Sequence, residues 1–191
     1  MKNLQNLVKR QAAASQAAGI DHNGQSTQSI TTGKTIKRIK MDFEEFNNTS
    51  YYQIERVDND DIYKYKLTIV PQEGMYVGGK WEFSFDCPLN YPNVPPTVHC
   101  LTPVYHPNID KDGKVCLSIL KVGDGGDWSA VCKFEHVAHG LLSLFVSPNP
   151  NDPLDVEAGS AMRANLEEFE RTVKKTLRGG TFFGRHFPKL I

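Results

Sequence analysis

The sequence predicts an α+β fold, a four-stranded antiparallel meander packed on a central helix with further helices before and after it. Three observations lead there. Apolar residues recur at helical spacing toward both ends of the chain, they alternate with polar residues through the middle, and the alternating runs are joined by links too short for a parallel crossover.

Residues 1–33 are rich in Ala, Gln, Ser, Thr and Gly and read as a disordered N-terminal extension, because so few apolar groups cannot offset the entropy of ordering. Leu4, Leu7 and Val8 fall on one helical face, which suits either a segment that folds on a partner or a plain solubilising tail. The core domain spans 34–191. From Lys34 a helix is predicted: Ile36, Ile39, Phe43 and Phe46 repeat every three or four residues, with Lys34, Lys37, Arg38 and Lys40 between them. Its basic outer face is either solvated or a docking surface.

The strands follow. Tyr63, Tyr65, Leu67 and Ile69 alternate with polar residues, as do Trp81, Phe83 and Phe85; shorter runs lie at Tyr52 to Val57 and at Thr97 to Leu101. After Leu101 comes a long irregular stretch, and such loops tend to be functional. Phe134, Val137, Ala138, Leu141, Leu142 and Phe145 predict the central helix. A short helix is expected to start at Asp152-Pro153, with Asp152 as its cap and Pro153 in the first helical position. Met162, Leu166, Phe169, Val173 and Leu177 predict a last helix stopped by Gly179-Gly180.

Composition excludes several function classes. Lys plus Arg and Asp plus Glu are balanced at 22 each, so no global positive field is present to hold nucleic acid or an anionic membrane. No apolar run approaches the roughly 20 residues of a membrane span, and no signal peptide opens the chain. The four cysteines are scattered without C-x-x-C spacing, which argues against zinc and against a secreted disulfide framework. These features predict a soluble protein of a reducing, intracellular compartment.

Chemistry concentrates in the irregular stretch. His106-Pro107-Asn108 precedes Cys116 by a short, specific interval, and Cys116 follows the turn 110–113, beside an irregular surface. It is therefore a candidate nucleophile, against the plainer reading of a small core hydrophobe. Cys87, Cys100 and Cys132 read as structural. His106 is read as holding its turn through backbone hydrogen bonds rather than as a base, which would present Asn108 toward the nucleophile. Asn108 is then either an amide donor to an oxyanion or a turn residue. Trp128 reads as a core anchor. The glycine-rich run 122–126 lacks the ending of a phosphate loop and carries acidic residues nearby.

Taken together, Pro71 to Lys80, Tyr91 with the prolines to Pro96, His106-Pro107-Asn108, Cys116, Trp128 and Pro148 to Leu154 resemble the ubiquitin-conjugating enzyme family in order and spacing along residues 34–180. The resemblance implies the fold of that family. It also implies its reaction: a ubiquitin-like modifier arrives as a thioester on an activating enzyme, moves to Cys116, and leaves to a substrate lysine. In that scheme Asn108 stabilises the oxyanion or orders the loop, Asp152 contacts the acceptor lysine, and Tyr105, His106, Pro107 and Leu154 support the site. Leu4, Leu7, Lys34, Lys37 and Arg38 would dock the activating enzyme, and Pro92, Asn93, Val94, Ser129 and Ala130 a RING-type ligase. ATP is used upstream, so no cofactor or metal is expected on this chain, which the resemblance implies to act as a monomer in the cytoplasm and nucleus.

Within the family, Glu73 to Tyr76, the run Tyr105 to Asp110, Cys116 to Leu120, the Arg178 to Gly180 ending and the N-terminal Leu4 and Leu7 resemble the conjugating enzyme of the neddylation pathway. That resemblance adds a co-ligase and cullin-type substrates as partners. The alternatives are a carrier of ubiquitin itself, a non-catalytic scaffold and, more remotely, a cysteine protease or redox protein. The run 122–126 is longer than the family's usual link between cysteine and tryptophan, so a reshaped rim beside Cys116 is expected.

Overall fold

Alternation in the sequence becomes alternation of burial: Trp81, Phe83 and Phe85 are buried in strand Trp81–Asp86 while Glu82, Ser84 and Asp86 are half-exposed. The computed structural model describes residues 27–191, so the predicted extension over 1–26, with Leu4 and Leu7, lies outside the described residues. The described elements are α1 (Thr27–Glu44), β1 (Tyr52–Arg56), β2 (Lys64–Ile69), β3 (Trp81–Asp86), β4 (Thr97–Cys100), α2 (Phe134–Val146), α3 (Val156–Ala164), α4 (Leu166–Leu177), β5 (Gly180–Phe182) and β6 (Arg185–Phe187). Strands β1 to β4 form one antiparallel meander in sequence order, as expected, with Leu67 opposite both Ile54 and Phe83.

Helix α2 crosses the sheet. It buries Phe134, Val137, Ala138, Leu141, Leu144 and Phe145; Leu142, expected in that set, is only half-buried, and Leu144 takes its place. The Phe145 ring stacks on Trp81 at 4.5 Å between centroids, and Phe134 packs edge-on to Phe85 at 4.7 Å. Burial of each such side chain contributes roughly 2–3 kcal/mol, so this contact fixes the helix on the sheet.

Three predicted boundaries move, and one side chain is placed differently from expectation. Helix α1 starts at Thr27, so the expected division between 33 and 34 falls inside it; once a helix is nucleated, each added residue gains a hydrogen bond at little cost, and no proline stops it upstream of Lys34. Arg38 is not on a free basic face: its guanidinium donates to Asp42 (2.8 Å) and to the carbonyls of Ala130 (2.7 Å) and Cys132 (2.6 Å). Asp42 is buried and also accepts from the Tyr91 hydroxyl. The helix predicted at Asp152 starts instead at Val156, capped by Asp155, whose Oδ1 accepts from Ala158 N at 3.0 Å. The last predicted helix is two, because Asn165 is extended, caps α4 through Glu168 N (3.0 Å), and leaves Met162 in α3.

The C-terminal hairpin β5–β6 was not predicted. Its short strands alternate poorly, and its turn places Phe183 at φ 53°, a conformation rare for an aromatic residue. No helix among the described residues is long and apolar enough to cross a membrane.

Candidate active site

The site begins at a buried histidine. His106 is fully enclosed between the Tyr76 and Phe145 rings, with centroids at 5.1 and 5.4 Å. Its Nε2 lies 3.0 Å from Leu144 O, and Asn108 N donates to its Nδ1 at 2.9 Å. Those two contacts fix the neutral tautomer with the proton on Nε2. Burial pushes its pKa down to about 4, partly opposed by the bond to Leu144 O. A neutral histidine with both nitrogens engaged cannot serve as a general base, so it holds the turn, as the sequence reading expected. Tyr76 adds a second tie, its hydroxyl donating to Tyr105 O at 2.7 Å.

From that turn the Asn108 side chain reaches across 41 positions of sequence. Its Nδ2 donates to Asn149 O (2.8 Å) and Asp152 O (3.2 Å), and its Oδ1 accepts from Asn149 N (2.8 Å). Pro107 O accepts from both Leu154 N (2.7 Å) and Asp155 N (2.9 Å). The strap 149–155 is thus stapled to the His-Pro-Asn turn by five hydrogen bonds. The same bonds explain the displaced helix start, since residues tied to Pro107 cannot also open α3. They separate the two readings of Asn108: its side-chain amide is taken up by the strap, which fits loop ordering, while its backbone carbonyl accepts from Cys116 N at 2.9 Å.

Cys116 follows a tight turn over 110–114 that crosses back under β4. Gly113 has φ 82°, and a side chain there would overlap Cys100 O, while Gly113 O accepts from Cys100 N at 2.8 Å. Of the four cysteines, Cys87, Cys100 and Cys132 are buried and Cys116 alone is partly open. Burial pushes the Cys100 thiol up to about 12 and the Cys87 thiol higher still. Neither of those two is available as thiolate near neutral pH.

Beyond Cys116 the chain makes a short 3-10 turn, Ser118–Leu120, and then the glycine-rich excursion. Asp127 closes it, accepting from the Ser118 hydroxyl, while Asp127 N donates to Ser118 O (3.0 Å) and Trp128 N to Lys121 O (3.1 Å). Lys121 Nζ comes within 3.4 Å of Cys116 Sγ. That contact was missed in the sequence, where the excursion was noted for its length but its returning geometry could not be read.

The remaining expected residues divide. Asp152 is exposed, and among the described residues its carboxylate makes no hydrogen bond or ion pair. Tyr105 is buried rather than open to the cysteine, stacked on Phe183 at 4.6 Å. Together with Leu154 it lines a groove of about 380 Å³ against Asp155, Val156 and Arg185; Cys116 is not among the lining residues. Of the expected ligase-docking residues, Pro92 O accepts from Trp128 Nε1 (2.7 Å) and Ala130 O accepts from Arg38 of α1 (2.7 Å), while Thr35 Oγ1 of α1 donates to Tyr91 O (2.8 Å). Lys34 and Lys37 are exposed on that same helix. Among the described residues no group of three or more His, Cys, Asp or Glu is placed to hold a metal ion.

A partly open cysteine held by an asparagine turn, on a meander crossed by one helix, defines a thiol-dependent transferase site of one fold family. The chain matches the family model described as "Ubiquitin-conjugating enzyme" over residues 38–177. It is 44% identical to the Nedd8-conjugating enzyme UbcE2M of Drosophila melanogaster over 75% of this chain and 77% of that protein. Identity to the NEDD8-conjugating enzyme UBC12 of Yarrowia lipolytica is 39%, over 88% of this chain and 90% of the relative. Among solved structures, S. cerevisiae Ubc12 superposes with a TM-score of 0.74 at 29% identity, covering 99% of this chain and 97% of that one. The chain belongs to the ubiquitin-conjugating enzyme family, transferases that carry a ubiquitin-like modifier as a cysteine thioester.

Proposed function

We propose that this chain is a NEDD8-conjugating enzyme: it accepts the modifier from its activating enzyme as a thioester on Cys116 and passes it to a substrate lysine. The observation that carries the site is that Cys116, alone of four cysteines, is open to a reactant while its backbone is fixed by Asn108 O. The printed names of the relatives support the choice of modifier over ubiquitin.

Loading requires little from the protein. One thioester is exchanged for another, so alignment of the incoming carbonyl with the Cys116 thiolate is the main contribution. Transfer is harder, because a neutral amine must attack while negative charge gathers on the carbonyl oxygen. Asn108 is a positioning residue in this reading, holding the strap that carries Asp152, and the free, exposed Asp152 carboxylate orients the acceptor ammonium until it loses its proton. The ties of Tyr91 and Ala130 to α1, and of Pro92 to Trp128, support mutually exclusive docking of activating enzyme and RING-type ligase. Neither chemical step changes oxidation state or needs a cofactor on this chain.

The test is charging. Incubated with the NEDD8 activating enzyme, ATP and NEDD8, the protein should form a reductant-sensitive adduct that Cys116→Ala abolishes and that Cys100→Ala and Cys132→Ala retain. Charging by the ubiquitin pathway alone would reject the modifier assignment, and an adduct that survives Cys116→Ala would reject the site.

A further inference from the structure

The cysteine sulfurs that have polar partners meet different neighbours. Cys100 Sγ donates to Thr102 O at 3.1 Å, and Cys132 Sγ faces Ser129 Oγ at 3.6 Å and Asp127 O at 3.8 Å, all uncharged groups. Cys116 Sγ instead accepts from a cation, Lys121 Nζ, at 3.4 Å. Two features hold that group there. Lys121 N donates to Ser118 O (3.0 Å) and Lys121 O accepts from Trp128 N (3.1 Å), so the side chain leaves from a stem pinned on both sides. No carboxylate draws it away: among the described residues Lys64, Lys66 and Lys133 form ion pairs, whereas the one polar contact of Lys121 Nζ is the sulfur. Asp127, the acid that closes the excursion, accepts from the Ser118 hydroxyl instead.

We propose that Lys121 is a catalytic residue, its ammonium donating to Cys116 Sγ and stabilising the negative charge that the sulfur carries when it enters and when it leaves the thioester. This deepens the reading of Cys116 as the acyl carrier and rests on it. In loading, the Cys116 proton goes to solvent and the thiolate forms a C–S bond to the modifier's carbonyl carbon. The activating enzyme's C–S bond breaks, and its sulfur leaves with the electron pair. In transfer a C–N bond forms, the Cys116 C–S bond breaks, the sulfur departs as thiolate toward Lys121, and the amine's proton goes to solvent. The thioester sulfur between these steps carries no net charge, so the contact is stronger to the departing sulfur than to the resting adduct, which is the condition for lowering a barrier. The gain in loading is partial, because a stabilised thiolate is more abundant but less nucleophilic, whereas a stabilised leaving thiolate departs faster outright.

The test begins on the free full chain, without modifier. Iodoacetamide is uncharged and reacts with thiolate, so its rate at Cys116, followed by peptide mapping at one fixed pH, reads the charge on that sulfur. Lys121→Met should slow it about fivefold, the scale of an exposed charge contact, and Lys121→Arg, which keeps the cation, should restore most of the rate. Lys114→Met removes an exposed charge two residues before the cysteine and should leave the rate unchanged. Raising salt from about 0.05 M to about 1 M should slow the unaltered chain toward the Lys121→Met value and leave that variant flat, which decides the matter even if a variant folds poorly. With preloaded enzyme, discharge to free lysine should fall about fivefold in Lys121→Met, and loading by about twofold. Equal alkylation in Lys121→Met and the unaltered chain, a rate indifferent to salt, or an equal loss in Lys114→Met would each overturn this inference alone. Absence of any thioester on Cys116 in the charging assay would overturn the carrier assignment and the catalytic role with it.

Discussion

The turn before Cys116 and the excursion after it are held by different physics. Residues 105–109 are all buried, and their polar groups are matched to partners in α2 and in the strap 149–155, so the turn moves only if the core moves. Residues 121–125 are exposed, two of their glycines have positive φ with open space around them, and the segment is closed by backbone bonds and one Ser118–Asp127 contact. The cysteine thus has a fixed side, which sets where the sulfur sits, and a looser side, which sets what stands beside it. Stability belongs to the first and chemical neighbourhood to the second.

The largest effect that sharpens this contrast is at His106. His106→Ala removes an enclosed ring and two hydrogen-bond partners, and should lower unfolding free energy by about 3–5 kcal/mol in urea titrations. Acid should act through the same group. The folded pKa of about 4 is depressed below the ordinary value near 6.5, so the stabilisation is complete above that value and is lost as pH falls toward 4. The loss is on the order of 3 kcal/mol, and the variant should lack this component of the pH dependence. A wild-type slope that persists in His106→Ala would mean that another group titrates there.

Next in size is Asn108. Because its side chain holds the strap, Asn108→Ala should slow discharge of preloaded enzyme to lysine by on the order of 10²-fold, about 2.7 kcal/mol, through misplacement of Asp152. Thioester formation, which uses only the Asn108 backbone, should fall by less than about threefold. Asn108→Asp keeps the acceptor for Asn149 N but loses both donated bonds, and should lie between. Equal loss of loading and discharge would show that the turn itself had collapsed and that the two sides of Cys116 are not independent.

The same contrast explains what could be read in advance. The meander and central helix were legible because period-two and helical patterns are local and continuous: Trp81, Phe83 and Phe85 needed no distant partner to declare a face. His106 as a turn anchor and Cys116 as the open thiol were legible because residue type and spacing sufficed. What failed depended on partners far along the chain. Asp152 looked like a helix cap until Pro107 O, 47 positions before Leu154, was found to hold the strap extended. Arg38 looked like a surface charge until the carbonyls of Ala130 and Cys132 were found within reach. Tyr105 was buried by Phe183, whose positive-φ turn no composition rule announces. Lys121 stayed hidden for the same reason, since a lysine four residues before two glycines gives no sign of turning back on a thiol.

The smallest expected effects test the looser side. Gly123→Ala meets no neighbour within 4 Å, so its cost is only the positive φ of 78°, about 1 kcal/mol. Gly126→Ala must instead push the Lys121 backbone carbonyl aside, and should cost more than Gly123→Ala. The two glycine variants then separate backbone strain from overlap: the melting temperature should fall further in Gly126→Ala than in Gly123→Ala, and in both by less than in His106→Ala. If Gly126→Ala destabilised the protein as much as His106→Ala, the excursion would be part of the core after all, and the division of labour around Cys116 would be wrong.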